Sequence, residues 1–78
     1  MRAPSRPLNP FFPRCVARSG SKLTALAVVG GWPHYTTFHD LLREEKIRAT
    51  PLTIARLQRV ADAVGFPRDE IFLDEAFR

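Results

Sequence analysis

The stretch LAVVGGWPHYTTFHD, residues 26–40, constrains this chain more than any other. An apolar helical run stops at Gly30-Gly31, because glycine enters the left-handed conformation without the Cβ clash that other residues meet. Pro33 follows almost at once, and a proline near the first turn of a new helix forfeits no hydrogen bond. The chain therefore turns a tight corner between two helices. The second begins with His34, Tyr35, Thr36, Thr37, His39 and Asp40, side chains that are costly to bury without partners. They are expected to face outward.

The pattern on either side of the corner is helical. Residues 13–18 suit a short first helix with Phe12, Cys15 and Val16 inward, ended by Ser19-Gly20-Ser21. A second helix spans residues 22–29, burying Leu23, Leu26, Ala27 and Val29. In the third, opened by Pro33, Phe38, Leu41, Leu42 and Glu45 share one side, with Phe38 and Leu41 as core residues. Tyr35, Thr36, His39, Asp40 and Arg43 lie on the other side, and the helix frays in Glu44-Glu45-Lys46.

The fourth helix has the clearest ends. Thr50 is its N-cap, Pro51 its first-turn proline and Gly65 its stop, with Ile54, Leu57, Val60, Ala61 and Val64 as a continuous stripe. A fifth helix over residues 67–77 opens with Asp69-Glu70, whose charge suits the helix dipole. Its Ile71, Phe72, Leu73 and Phe77 exceed what one face of a small domain needs. No strand alternation is evident, so the fold class expected is all-α, with five helices. Residues 1–11, punctuated by Pro4, Pro7 and Pro10, read as a flexible extended arm ahead of a domain over 12–78.

At 78 residues one modest core is all the chain can hold, and a binding module suits it better than an active-site cleft. Residues 1–39 carry Arg2, Arg6, Arg14, Arg18 and Lys22 and no acid, whereas residues 40–78 carry seven basic and eight acidic residues. This asymmetry suits a polyanion partner, since each neutralised phosphate releases counterions. The single Cys15 excludes an intramolecular disulfide and fits a reducing cytoplasm. No apolar run approaches the roughly 20 residues of a membrane span. The run LTALAVVGGW imitates a signal peptide, but its leader is long and proline-rich, and cleavage would leave too little chain for a core.

No phosphate loop, nucleophile elbow or zinc-hydrolase pattern occurs, so no enzyme and no cofactor are expected. His34 and His39 point in different directions on a helix, with no Cys or acid to complete a metal site. Cys15 reads as a small core residue. Trp32 has two readings, core residue or exposed anchor for a partner. Tyr35 likewise is either a half-buried corner aromatic or a ligand contact.

A helix, a tight turn and a second helix make the helix-turn-helix plan, in which the second helix shows its N-terminal side chains to base edges in the DNA major groove. Here the sequence resembles the Cro and lambda-repressor-like (XRE-type) helix-turn-helix proteins. Gly20 stands six residues before the Leu26-Ala27 pair, Ala27-Val28-Val29-Gly30-Gly31 keeps an Ala-x-x-x-Gly spacing, and Phe38 and Leu41 match the buried positions of the recognition helix. TIARLQRVADAVGFPRDEIF is similar to the family's fourth helix and its entry into the fifth. The turn holds one residue more than the family's usual count, which leaves the register of base contacts open by one residue.

The resemblance implies a five-helix lambda-repressor-like domain binding double-stranded DNA in a sequence-specific way, as a homodimeric transcriptional regulator. The base-contacting positions it implies are Tyr35, Thr36, His39 and Asp40. Arg18, Lys22, Thr37 and Arg43 are implied to hold the backbone. The apolar surplus of the last helix (Phe72, Leu73, Phe77) suggests the dimer contact. The alternative is a protein-interaction module on the same scaffold, an RNA polymerase-binding factor or an antitoxin, with Trp32, Tyr35 and Phe77 as anchors.

Overall fold

The computed structural model describes residues 4–76. In chain order the elements are β1 (Ser5–Pro7), α1 (Phe11–Arg18), α2 (Leu23–Gly30), α3 (Tyr35–Leu42), β2 (Lys46–Arg48), α4 (Pro51–Val64), a 3-10 turn (Arg68–Glu70) and α5 (Leu73–Ala76).

The spine is α4, and its ends follow from local chemistry. Thr50 Oγ1 accepts the Thr53 N–H at 3.1 Å, Pro51 occupies the first turn, and Gly65 takes a left-handed φ of 78° at the far end. The Phe66 N–H then closes onto the Ala61 carbonyl at 2.8 Å. Leu57, Val60 and Ala61 are buried on α4, in one core with Phe12 and Val16 of α1, Leu26 and Ala27 of α2, Phe38 of α3, and Ile71 and Phe72. Val29, expected to be inward, is about half exposed.

The fold is not the all-α, five-helix domain expected from the sequence. Strands β1 and β2 form a two-stranded antiparallel sheet, pairing Ser5 with Arg48, Arg6 with Ile47 and Pro7 with Lys46. Ile47 drives this: it is buried while Lys46 and Arg48 on either side are exposed, a two-residue alternation that only a strand provides. Pro7 is tolerated because each strand of a two-stranded sheet is an edge. The last expected helix is replaced, among the described residues, by the 3-10 turn and the single turn of α5.

The N-terminal arm also differs from expectation. From Ser5 onward it is extended but belongs to the fold, and α1 begins at Phe11. The Leu8 N–H reaches the Glu45 carbonyl at 3.0 Å, and Leu8 is buried in a bridge with Phe72. Arg6 pairs bidentately with Asp74, at 2.9 and 2.8 Å, and its guanidinium lies 4.2 Å over the Phe72 ring. This arginine is thus engaged within the protein rather than free to follow a phosphate chain. Arg2 lies outside the described residues.

Asn9 joins the two ends of the chain. It is the one buried polar side chain among the described residues. Its amide donates to the Glu70 carbonyl at 2.7 Å, its Oδ1 accepts the Phe11 N–H at 3.0 Å, and its own N–H donates to the Ile71 carbonyl at 2.8 Å. An Asn placed before a proline to start a turn is physically apt, since its side chain mimics a backbone turn.

The expected dimer contact through Phe72, Leu73 and Phe77 loses its main member. Phe72 is 1% exposed, and Leu73 is half-buried. Phe77 lies outside the described residues. With residues 71 and 72 outside any helix, consecutive Ile71 and Phe72 both turn into the core.

Candidate functional site

The corner is built by a division of labour between two glycines. Gly31 adopts a φ of 90°, and the Trp32 N–H folds back onto the Ala27 carbonyl at 2.9 Å, capping α2. Gly30 has a steric role. A methyl group there would overlap the Trp32 ring and sit 3.2 Å from the Arg56 carbonyl oxygen. The room it leaves admits Trp32, 7% exposed, whose ring centroid lies 4.6 Å from that of Phe38. Trp32 is therefore a core residue, and it locks α3 against the end of α2. Arg59 Nη1 donates to the Gly30 carbonyl at 3.4 Å, and the Arg56 guanidinium lies 5.8 Å from the Trp32 ring centroid.

With Phe38 buried and Leu41 and Leu42 partly so, the outward stripe of α3 is centred on Thr36, Asp40 and Arg43. All three are exposed, as are Tyr35 and Thr37, while His39 is half-buried at the flank. The His39 Nδ1 lies 3.7 Å from Asp40 Oδ1, too far for a hydrogen bond.

Two concavities border the helix. On one flank His39, Leu42 and Arg43 face Ala17, Ser21 and Leu23, the chain neighbours of Arg18 and Lys22. On the other, Thr37, Asp40 and Glu44 face Lys46, Arg48 and Thr53. Six of the eight residues singled out from the sequence thus lie on α3 or at its C-cap, and the other two, Arg18 and Lys22, are exposed next in the chain to residues of the first concavity.

Lys46 and Arg48 were missed. By the sheet register they share the face of β2 opposite buried Ile47, and both are exposed. The signal was the alternation Lys46-Ile47-Arg48, too short to be read as a strand from sequence.

The ends of α2 and α3 add a directional feature. Neither helix has a side-chain cap at its N-terminus, and neither has an acid in its first turn. Their leading N–H groups and positive dipole ends remain open. Lys22 stands at the N-cap position of α2, where its charge disfavours the helix. An arriving anion would relieve that conflict. Carboxylates lie toward the other end of α3, where Asp40 and Glu44 share a concavity with Arg43.

Among the described residues no three His, Cys, Asp or Glu side chains converge as metal ligands, and no helix is long and apolar enough to cross a membrane. The chain matches no known protein family, no curated protein and no solved structure.

Proposed function

We propose that the protein binds double-stranded DNA selectively, by inserting the N-terminal half of α3 into the major groove, and acts as a cytoplasmic transcriptional regulator. The observation that carries this reading is the layout around α3. An exposed helix with an uncapped N-terminus has Lys46 and Arg48 along one flank and, on the other, a concavity whose residues Ala17, Ser21 and Leu23 adjoin the exposed Arg18 and Lys22 in the chain. Its N-terminal half carries no acid, and Asp40 and Glu44, which follow toward the other end, also line the flank of Lys46 and Arg48.

In this reading Tyr35, Thr36 and His39 meet base edges. Thr36 donates or accepts a hydrogen bond, and His39 donates to guanine. Asp40, at the centre of the stripe, accepts from cytosine N4. The flanking cations and Thr37 hold phosphates on each side of the groove and fix the orientation of the helix. Arg43, between Asp40 and Glu44, reaches the backbone at the groove's edge. One short helix reads few base pairs, so two copies bind half-sites roughly 34 Å apart.

Affinity should fall steeply with salt, with a slope of roughly −0.9 per phosphate neutralised. A binding isotherm on duplex DNA at increasing salt tests this, and a flat dependence would overturn it.

A second reading has its own observation. Val28 is 76% exposed and Tyr35 49%, with Val29 also exposed, which gives the corner an apolar edge suited to a protein partner such as a polymerase subunit or a toxin. Such a contact would tolerate salt and survive nuclease treatment of a lysate.

A further inference from the structure

An open groove of about 580 Å³ runs between the start of the chain and the far end of α3, where it reaches Arg43 of the exposed stripe. Its floor is apolar, formed by Pro7, Leu8, Pro10, Pro13, Leu42 and Leu73. Its walls differ in net charge, with Arg14 from α1 on one side and Arg43, Glu44 and Glu45 from the end of α3 and the α3–β2 connection on the other. Between the lining residues Pro10 and Pro13 in the chain stands Phe11, 61% exposed, with the guanidinium of the lining Arg14 lying 5.4 Å from its ring centroid. A phenylalanine so exposed at a helix start, beside an unfilled apolar groove, leaves a large hydrophobic area in water.

We infer that this groove is the contact between two copies of the chain, each inserting Phe11 into the groove of the other. A two-fold interface must be self-complementary, with the same patch serving as both surfaces. This patch meets that condition. It carries a knob and a hole side by side, and a cation on one wall with a net negative charge on the other. Rotation by 180° sets Arg14 of each copy against Glu45 of its partner and each Phe11 over the other's Pro10, Pro13 and Leu42.

The groove also includes Leu73, which follows the buried Ile71 and Phe72 and is only half-buried. Because Leu42 closes α3, the contact turns the C-terminal ends of the two α3 helices toward the two-fold axis and their N-terminal ends outward. The inference locates the dimer invoked under the DNA-binding reading, but its test needs no DNA.

Sedimentation equilibrium of the full chain should give a species of about twice 8.9 kDa. Phe11→Ala should weaken self-association about tenfold or more, with an unchanged circular dichroism spectrum. Arg14→Glu alone and Glu45→Arg alone should each be monomeric, since like charges then face one another. An equimolar mixture of the two should recover a dimer, because one cross-contact is the native Arg14–Glu45 pair and the other is the same pair with signs exchanged. A monomeric wild-type chain would overturn the inference, as would a dimer indifferent to Phe11→Ala or a mixture that stays monomeric.

Discussion

The Trp32 and Phe38 rings stack in a tilted arrangement, 4.6 Å between centroids with 30° between planes, and this contact sets where α3 points. Trp32 comes from the turn and Phe38 from the middle of α3, so one aromatic pair fixes both the corner and the helix after it. Removing the indole empties a buried site at the base of α3. Trp32→Ala should cost about 3–5 kcal/mol in urea unfolding. Gly30→Ala should displace the ring and also destabilise, despite the higher helix propensity of alanine. An Ala at 30 that stabilised the protein would contradict this packing.

Asn9 offers a separate test of how the chain ends are joined. Asn9→Leu keeps the branching and heavy-atom count of the side chain but leaves the Glu70 carbonyl and the Phe11 N–H without their partner. A loss of about 1–3 kcal/mol is expected for each buried group left unpaired. Thermal unfolding should show it, and a neutral substitution would mean that water replaces both bonds.

The exposed Asp62–Arg68 pair, joined at two points, predicts a pH signature in acid. The Arg68 guanidinium hydrogen-bonds the Asp62 carboxylate and holds its pKa below the ordinary aspartate value, against a smaller opposing push from desolvation. A carboxyl with a lowered native pKa contributes stability that is whole above the unfolded-state value. That contribution fades as pH falls from there through the native value. The stability advantage of wild type over Asp62→Asn should therefore be level near neutral pH and shrink only in acid. An advantage that grew with acidification would contradict the assignment.

Contacts to phosphates and to bases should separate in binding data. Lys46→Ala and Arg48→Ala, like Arg43→Ala, should weaken binding to all duplexes alike and each reduce the salt slope by roughly 0.9. Thr36→Ala should instead relax preference at one position by about 1–3 kcal/mol while leaving the slope unchanged. Fluorescence titration at several salt concentrations distinguishes the two classes. Loss of base preference on removing Lys46 or Arg48 would contradict their assignment to the backbone.

What the sequence revealed and what it hid have different physical roots. Thr50-Pro51 and Gly65 bound α4 because caps are local chemistry, and Gly31 marks the corner for the same reason. The 3.6-residue period also separated Phe38 from Thr36, Asp40 and Arg43, so the exposed face of α3 was legible. The sheet was not. Ser5–Pro7 and Lys46–Arg48 are short segments far apart in sequence, and their pairing depends on tertiary burial of Ile47. For the same reason Arg6 read as a free arm residue, although Asp74 and Phe72 engage it. Phe72 read as surface because the helix assumed around it is absent.

The central claim is that the N-terminal half of α3 reads base sequence. Selection from random duplex DNA, run in parallel with wild type and Thr36→Ala, tests it most directly. The account predicts that wild type enriches a defined motif and that the variant enriches one degenerate at a single position in each half-site. Recovery of no motif by wild type, or of an identical motif by both proteins, would contradict it.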